Sequence, residues 1–133
     1  MTDADRLYDP LRRKWVARTP EEEVRQAVIA WLRDVQGFPV GLMESEYGFV
    51  YNRRRYRADV LVFDRQLQPY LLVECKAPEV TLGQAVVDQV VRYTRVLPVR
   101  YVMVTNGRTT HLLVRSEDGG SYEALTAMPD SLR

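Results

Sequence analysis

The clearest periodic stretch is "TPEEEVRQAVIAWLRDV", residues 19–35, in which Val24, Ala27, Val28, Trp31 and Leu32 recur at helical spacing and form an inward stripe. Thr19 stands at the N-cap, Pro20 at the first helical position and Glu22 three residues past the cap as a capping-box partner. The helix is therefore predicted to begin there and to end at "QGFP", 36–39. "GLMESEYGFVYNRRRYRADVLVFD" predicts two strands joined by a polar, basic turn around Asn52 to Arg55. "DRQLQP" then turns the chain into a third strand, "PYLLVECKAP" at 69–78, apolar on both sides as a central strand is. Beyond "APEV", Thr81 predicts the cap of a second helix, with Gln84 at the capping-box position and apolar residues through Leu97 before Pro98 stops it. "RYVMVTNGRTTHLLVR" predicts a strand, an Asn106-Gly107 turn and another strand. The basic, proline-punctuated lead-in "YDPLRRKWVARTP" and the polar loop and tail at 116–133 carry no regular element in this reading.

Two charges interrupt the third strand. Side chains alternate faces along a strand, so Glu74 and Lys76 share one face and Cys75 points to the other. On the preceding strand the same alternation puts Asp59 on the face of Leu61 and Phe63, and hairpin pairing through "DRQLQP" brings it towards Glu74. A lone Glu-x-Lys in a strand is most simply an ion pair near a sheet edge. The apolar setting argues otherwise, because a buried charge is costly unless paired. Two converging acids also repel unless a proton or a metal intervenes.

Composition narrows the chemistry. The 133 residues are 46% apolar and 28% charged, which suits one soluble domain with a core of ordinary size. Nineteen Lys plus Arg against eighteen Asp plus Glu leave a net charge of +1, so an anionic partner must be met by a local patch. No apolar stretch approaches the roughly 20 residues of a membrane span, and "MTDADRLYDP" lacks a signal-peptide core, so the expected compartment is the cytoplasm. The single cysteine, Cys75, and single histidine, His111, rule out an intramolecular disulfide or a Cys/His zinc cluster, and make Cys/His or Ser/His catalysis a poor fit. No Gly-x-x-x-x-Gly-Lys loop is present. Hydrolytic chemistry would fall to carboxylates and a metal.

"RADVLVFD", "YLLVECKAP", "QVVRYTRV" and "VTNGR", in that order, resemble the PD-(D/E)XK nuclease superfamily, and within it the N-terminal nuclease domain of type I restriction enzyme R subunits. The resemblance runs from about Lys14 to Val114; its motifs are specific as a set and weak singly. It implies an α/β, restriction-endonuclease-like αβββαβ core with a mixed central sheet flanked by helices, and Mg2+-dependent (or Mn2+-dependent) phosphodiester hydrolysis of DNA. Asp59 matches the first acid, Glu74 the second and Lys76 the lysine, while Ala58 stands where the superfamily name has proline. Asp59 and Glu74, with the Cys75 carbonyl, would hold the hard cation, and Lys76 would orient the attacking hydroxide or offset transition-state charge. Gln89 and Tyr93 match a Gln-x-x-x-Tyr feature of some nuclease relatives and lie on one helical face, where Gln89 would position the lysine or the nucleic-acid backbone. A half-buried helix face with a satisfied amide explains the same pair. The resemblance points to "PEEEVRQ" in the first helix without deciding which glutamate serves. Glu21 is preferred, since Glu22 has a capping duty, although a solvated first turn favoured by the helix dipole accounts for both.

"YNRRRYR" carries Arg53, Arg54, Arg55 and Arg57 between Tyr51 and Tyr56, and is the only dense basic cluster beyond "LRRK" at 11–14. Arginines interleaved with tyrosines beside Asp59 can grip phosphates and stack on an unpaired base, and Tyr93 is assigned to nucleic-acid binding with them; a solvated turn is the equal alternative. The leading expectation is a metal-dependent DNA endonuclease. Since R subunits carry helicase motors and this chain has none, it reads as a stand-alone nuclease, a fragment working with a helicase, translocase or modification partner, or a descendant that only binds, and many nucleases of this size pair as homodimers to cut two strands. The rival from another class is a non-catalytic nucleic-acid-binding or assembly module that keeps the fold. A purely structural domain fits worst, because all four motifs occur in order.

Overall fold

Thr19 opens the first helix, α1 (Pro20–Asp34): its hydroxyl accepts the Glu22 N–H at 3.0 Å, and Pro20 occupies the first turn. The structure, a computed structural model, describes residues 3–132. The expected capping box is only half formed. The Thr19 N–H donates to the Ala17 carbonyl at 3.0 Å, and the Glu22 carboxylate turns to arginines instead. The buried face of α1 is Glu22, Val24, Arg25, Ile29 and Leu32, while Ala27 of the predicted stripe is exposed. Residues 22, 25, 29 and 32 follow helical spacing, so two charged side chains sit where the apolar pattern alone would place a core.

Six strands lie in chain order across one sheet, and a separate two-stranded ribbon, β1 (Arg6–Asp9) with β2 (Lys14–Ala17), precedes α1. The sheet comprises β3 (Met43–Tyr51), β4 (Arg54–Phe63), β5 (Pro69–Cys75), β6 (Tyr101–Thr105), β7 (Thr110–Arg115) and β8 (Tyr122–Ala124). All neighbours are antiparallel except β5 and β6, whose parallel pairing requires the crossover through α2 (Gln84–Arg92). The run α1-β3-β4-β5-α2-β6 is the αβββαβ core with a mixed sheet. Alternation along β5 divides the interior: Leu71, Val73 and Cys75 pack beneath α1, and Leu72 packs beneath α2 with Val87, Val90 and Val102.

Local chemistry explains the turns. Asn52 and Arg53 both take positive φ, 52° and 66°, in the two-residue loop that closes Tyr51 on Arg54. Asp64 accepts the N–H groups of Gln66 and Gln68, each at 2.9 Å, to fold the β4–β5 turn.

Three segments depart from the expectations. The lead-in forms the β1–β2 ribbon, and the tail adds β8 and returns Leu132 to the core, where the Leu132 N–H donates to Gln36 Oε1 at 2.9 Å. The second helix starts at Gln84 after Gly83, not at a Thr81 cap, and gives way after Arg92 to a 3-10 turn over Tyr93–Arg95. Asn106 Nδ2 binds the Val80 carbonyl at 2.8 Å and His111 Nε2 lies 3.2 Å from the Leu82 carbonyl, which holds residues 80–82 outside the helix. No helix among the described residues is long and apolar enough to cross a membrane.

Candidate active site

Regular pairing of β4 with β5 stops at Val60 opposite Val73. One residue further the carboxylates take over from ladder carbonyls: the Asp59 N–H donates to Glu74 Oε1 at 3.2 Å, and the Cys75 N–H donates to Asp59 Oδ2 at 2.6 Å. Each acid is thus held by the other's strand. The β3 side is irregular at the same level, where Glu46 has φ 54° and falls out of the pairing between Ser45 and Tyr47. The consequence is a slip in facing. Ala58 and Leu61 both pack on the α2 side although Val60 packs on the α1 side. Asp59 therefore does not share a face with Leu61 and Phe63 as strict alternation predicts; its carboxylate reaches towards α1, with Oδ1 3.5 Å from Arg25 Nη2.

Arg25 is the residue that the sequence reading missed. It is 7% exposed and lies 3.6 Å from Glu46, 3.3 Å from Glu22 Oε2 and 3.5 Å from Asp59, and it donates to Ser45 Oγ at 3.3 Å. Its Nε stands within ion-pair range of Glu22 but lacks hydrogen-bond alignment. The signal was present: Arg25 is three residues from Glu22 and four from Ile29, on the buried stripe. Arg12, from the turn between β1 and β2, extends the network. Its guanidinium binds Asp9, donates to Glu22 Oε1 at 2.7 Å and lies 3.6 Å from Glu46. Arg57 closes on the other oxygen of Glu46 at 3.6 Å.

Of the predicted site residues, Asp59, Glu74, Lys76 and Glu21 come together. Glu74, on the face opposite Cys75, has its carboxyl pushed up to about 8 by burial and by the charge of Asp59, with the Asp59 N–H and Lys76 opposing. Glu21 stands on the exposed rim of α1, yet burial of part of its side chain and the field of Asp59 raise its carboxyl as well, while Lys76 pulls it down. Lys76 follows β5 directly, anchored by its N–H to the Thr105 carbonyl at 2.9 Å, and its ammonium makes no ion pair among the described residues. Cys75 is fully buried on the α1 side, and burial followed by the charges of Asp59 and Glu74 raises its thiol.

The remaining predicted residues lie further out. Gln89 is exposed and donates to the Tyr93 hydroxyl at 3.3 Å, the i, i+4 contact expected of them. Tyr93 itself is 8% exposed beneath Phe49, Tyr51 and Tyr56, with centroids 5.1, 6.0 and 5.0 Å away. A ring so covered has no free face for a base, which corrects the expectation that Tyr93 contacts nucleic acid. Its hydroxyl instead senses the site: burial and then Glu74 raise it. Arg53, Arg54, Arg55 and Arg57 are all exposed on the β3–β4 hairpin.

The donor set suits a hard divalent cation. Asp9, Glu21, Glu22, Glu46, Asp59 and Glu74 are six carboxylates facing the four cations Arg12, Arg25, Arg57 and Lys76. Among the described residues no three His, Cys, Asp or Glu side chains converge as a ready ligand cluster. Two carboxylates, a backbone carbonyl and retained waters are a sufficient set for Mg2+.

The raised Glu74 carboxyl has a measurable consequence. Between its ordinary value near 4.5 and about 8, the folded chain keeps a proton that the unfolded chain has released. Metal-free stability should therefore be greatest below pH 4.5 as far as this group is concerned, and fall as pH rises to about 8, with Glu21 adding to the slope. Thermal unfolding in chelator across that range checks this. Glu74→Gln should flatten the decline. A decline of equal steepness in the variant would remove Glu74 as its source.

An αβββαβ core whose two central strands present an acid each, with a lysine two residues past the second, defines the restriction-endonuclease-like class of fold. The family model described as type I restriction enzyme R protein N terminus matches residues 20–129, and the chain belongs to that family. A solved fragment of a candidate HsdR subunit of a type I restriction enzyme from Vibrio vulnificus YJ016 superposes with a TM-score of 0.59 at 22% identity over 84% of this chain. The chain spans 24% of that protein. A candidate nuclease of the DUF820 group from Anabaena variabilis superposes with a TM-score of 0.53 at 11% identity, covering 95% of this chain and 79% of its own. At these identities the two structures share the fold. None of the curated proteins compared matches the chain.

Proposed function

We propose that this domain is a Mg2+- or Mn2+-dependent DNA nuclease whose reaction centre is Asp59, Glu74 and Lys76. The observation that carries the reading is the reciprocal clamp at the β4–β5 break, which aims two carboxylates at one place at the expense of a carboxyl raised to about 8. A cation there would supply charge neutralisation at the scissile phosphate and a more acidic water. Asp59 and Glu74 would hold it, the Cys75 carbonyl completing the protein's share. Lys76, with a mobile point charge and no ion-pair partner among the described residues, would orient the nucleophile and offset charge growing on the phosphate oxygens. Glu21, electrostatically coupled to Asp59 and Lys76, would receive the proton that the nucleophile sheds, and Gln89 would steady the backbone of the substrate. DNA, and a motor or modification subunit, are the partners that membership of the R-subunit family supports.

The test is nicking of supercoiled plasmid by the purified chain with Mn2+ or Mg2+. Lys76→Ala should reduce the rate about 10²- to 10³-fold, the loss typical of one preorganised electrostatic donor, while leaving Mn2+ binding intact. An unchanged rate would remove Lys76 from the centre.

One observation favours the non-catalytic reading. Both Asp59 oxygens already have protein partners, the Cys75 N–H and Arg25, an arrangement that also serves a domain which binds without cutting. DNA affinity that falls steeply with salt and persists in Glu74→Gln, with no cleavage by the parent chain, would establish it.

A further inference from the structure

The β1–β2 ribbon lies before the family match, which begins at residue 20, and no part of the reaction centre uses its outer face. A two-stranded ribbon is marginal alone. This one is pinned by its inner side: Asp9 is fully buried, its carboxylate accepts the Leu11 N–H at 2.7 Å, and Arg12 runs inward to Glu22. Pinning leaves the opposite face bare. Tyr8 and Trp15 pair directly across the ribbon with ring centroids 5.4 Å apart, edge to face, and remain 48% and 53% exposed. The Arg6 guanidinium lies 5.8 Å from the centre of the Trp15 ring.

The charge around this aromatic pair is one-sided. From Arg6 to Arg18 the chain has five basic residues and one acid, Asp9, which is the buried one. Arg13 and Lys14, at the exposed tip, make no ion pair among the described residues. Continuity supplies the third argument. Arg12 of this ribbon and Arg57 of the β3–β4 hairpin meet on the same carboxylate, Glu46, each at 3.6 Å. Two basic hairpins more than forty residues apart in sequence are thereby joined beside Asp59.

We propose that the β1–β2 ribbon is a second nucleic-acid contact, specific for single-stranded or frayed DNA, in which Trp15 and Tyr8 stack on an unpaired base while Arg13 and Lys14 engage the flanking phosphates. Exposed rings offer a stacking face to an unpaired base, and the cations beside them offer charge to its phosphates; together they fit a single strand better than a duplex or an apolar protein surface. The proposal rests on the nucleic-acid reading of the domain but not on cleavage, so binding is measured in chelator.

Fluorescence anisotropy with a labelled oligothymidylate and a blunt duplex of equal length tests it. Trp15→Ala should weaken oligothymidylate binding roughly tenfold and duplex binding much less. The double variant Arg13→Glu, Lys14→Glu should weaken both and reduce the single-strand salt slope by about 1.4. Unchanged thermal midpoints show that the variants fold. Equal affinity of parent and variants for the single strand would overturn the ribbon assignment while leaving the nucleic-acid reading in place. No binding of either ligand at low salt would overturn both. A Trp15-dependent loss of affinity for polyglutamate, with none for oligothymidylate, would assign the face to an acidic protein instead.

Discussion

Asp59→Asn is expected to lower metal-dependent DNA cleavage by at least about 10²-fold, in parallel with a loss of Mn2+ affinity. The loss of affinity should exceed the roughly 10- to 100-fold that substitution of outer-lying partners of metal ligands costs. The substitution keeps the strand contact while removing the charge, including its ion pair with Arg25. An amide oxygen can still accept the Cys75 N–H, so the β4–β5 break should survive. What disappears is one hard anionic ligand and the charge that helps to raise Glu74. A second, independent readout follows. The Glu74 carboxyl should fall from about 8 towards its ordinary range, since Asp59 is one of the two main causes that raise it. Mn2+ calorimetry and plasmid nicking measure the first effect, and the pH dependence of metal-free stability measures the second. Full cleavage in Asp59→Asn would refute the assigned centre even if the Glu74 shift occurred.

Arg25→Ala should cost about 3–5 kcal/mol of stability, the typical loss when one member of a buried ionic group is removed. The Arg25 side chain is 8% exposed and stands among Glu22, Glu46 and Asp59, so its removal leaves three carboxylates with one fewer cation between them. Against a usual domain stability of about 5–15 kcal/mol, such a loss is severe. Arg25→Lys should recover part of it, because an ammonium keeps the charge but cannot fork to several acids. Urea denaturation near neutral pH in chelator is the measurement. A loss under about 1 kcal/mol would mean that Arg12 and Arg57 carry the network without it. The cost of Arg25→Ala should also shrink with added Mn2+ if a cation takes over part of the neutralisation at Asp59.

The elements legible in the sequence share one property: their cause is local. Thr19 and Pro20 begin α1, Asn52 makes the tight β3–β4 turn possible, Asp64 folds the next turn, and a run apolar on both faces marks β5 as central. The motif order around Asp59, Glu74 and Lys76 could be read the same way, as could the Gln89–Tyr93 contact. What failed was a cap signal that contacts from distant residues overrode, and the strict alternation assumed for Asp59. The second helix does not start at Thr81 because Asn106 and His111, across the sheet, bind the loop that should have capped it.

By itself, then, the sequence determined the αβββαβ order, because caps, turns and alternation act over a few residues, and the order of its motifs pointed to the family. Only the tertiary structure decided how the site residues stand. The kink at Glu46, the turn of Asp59 towards α1, the burial of Arg25 and the junction of two basic hairpins all depend on charges brought together from positions 12, 25, 46, 57 and 59. No local pattern encodes such a network, since each charge alone reads as solvated surface and acquires its role only when folding removes the water around it.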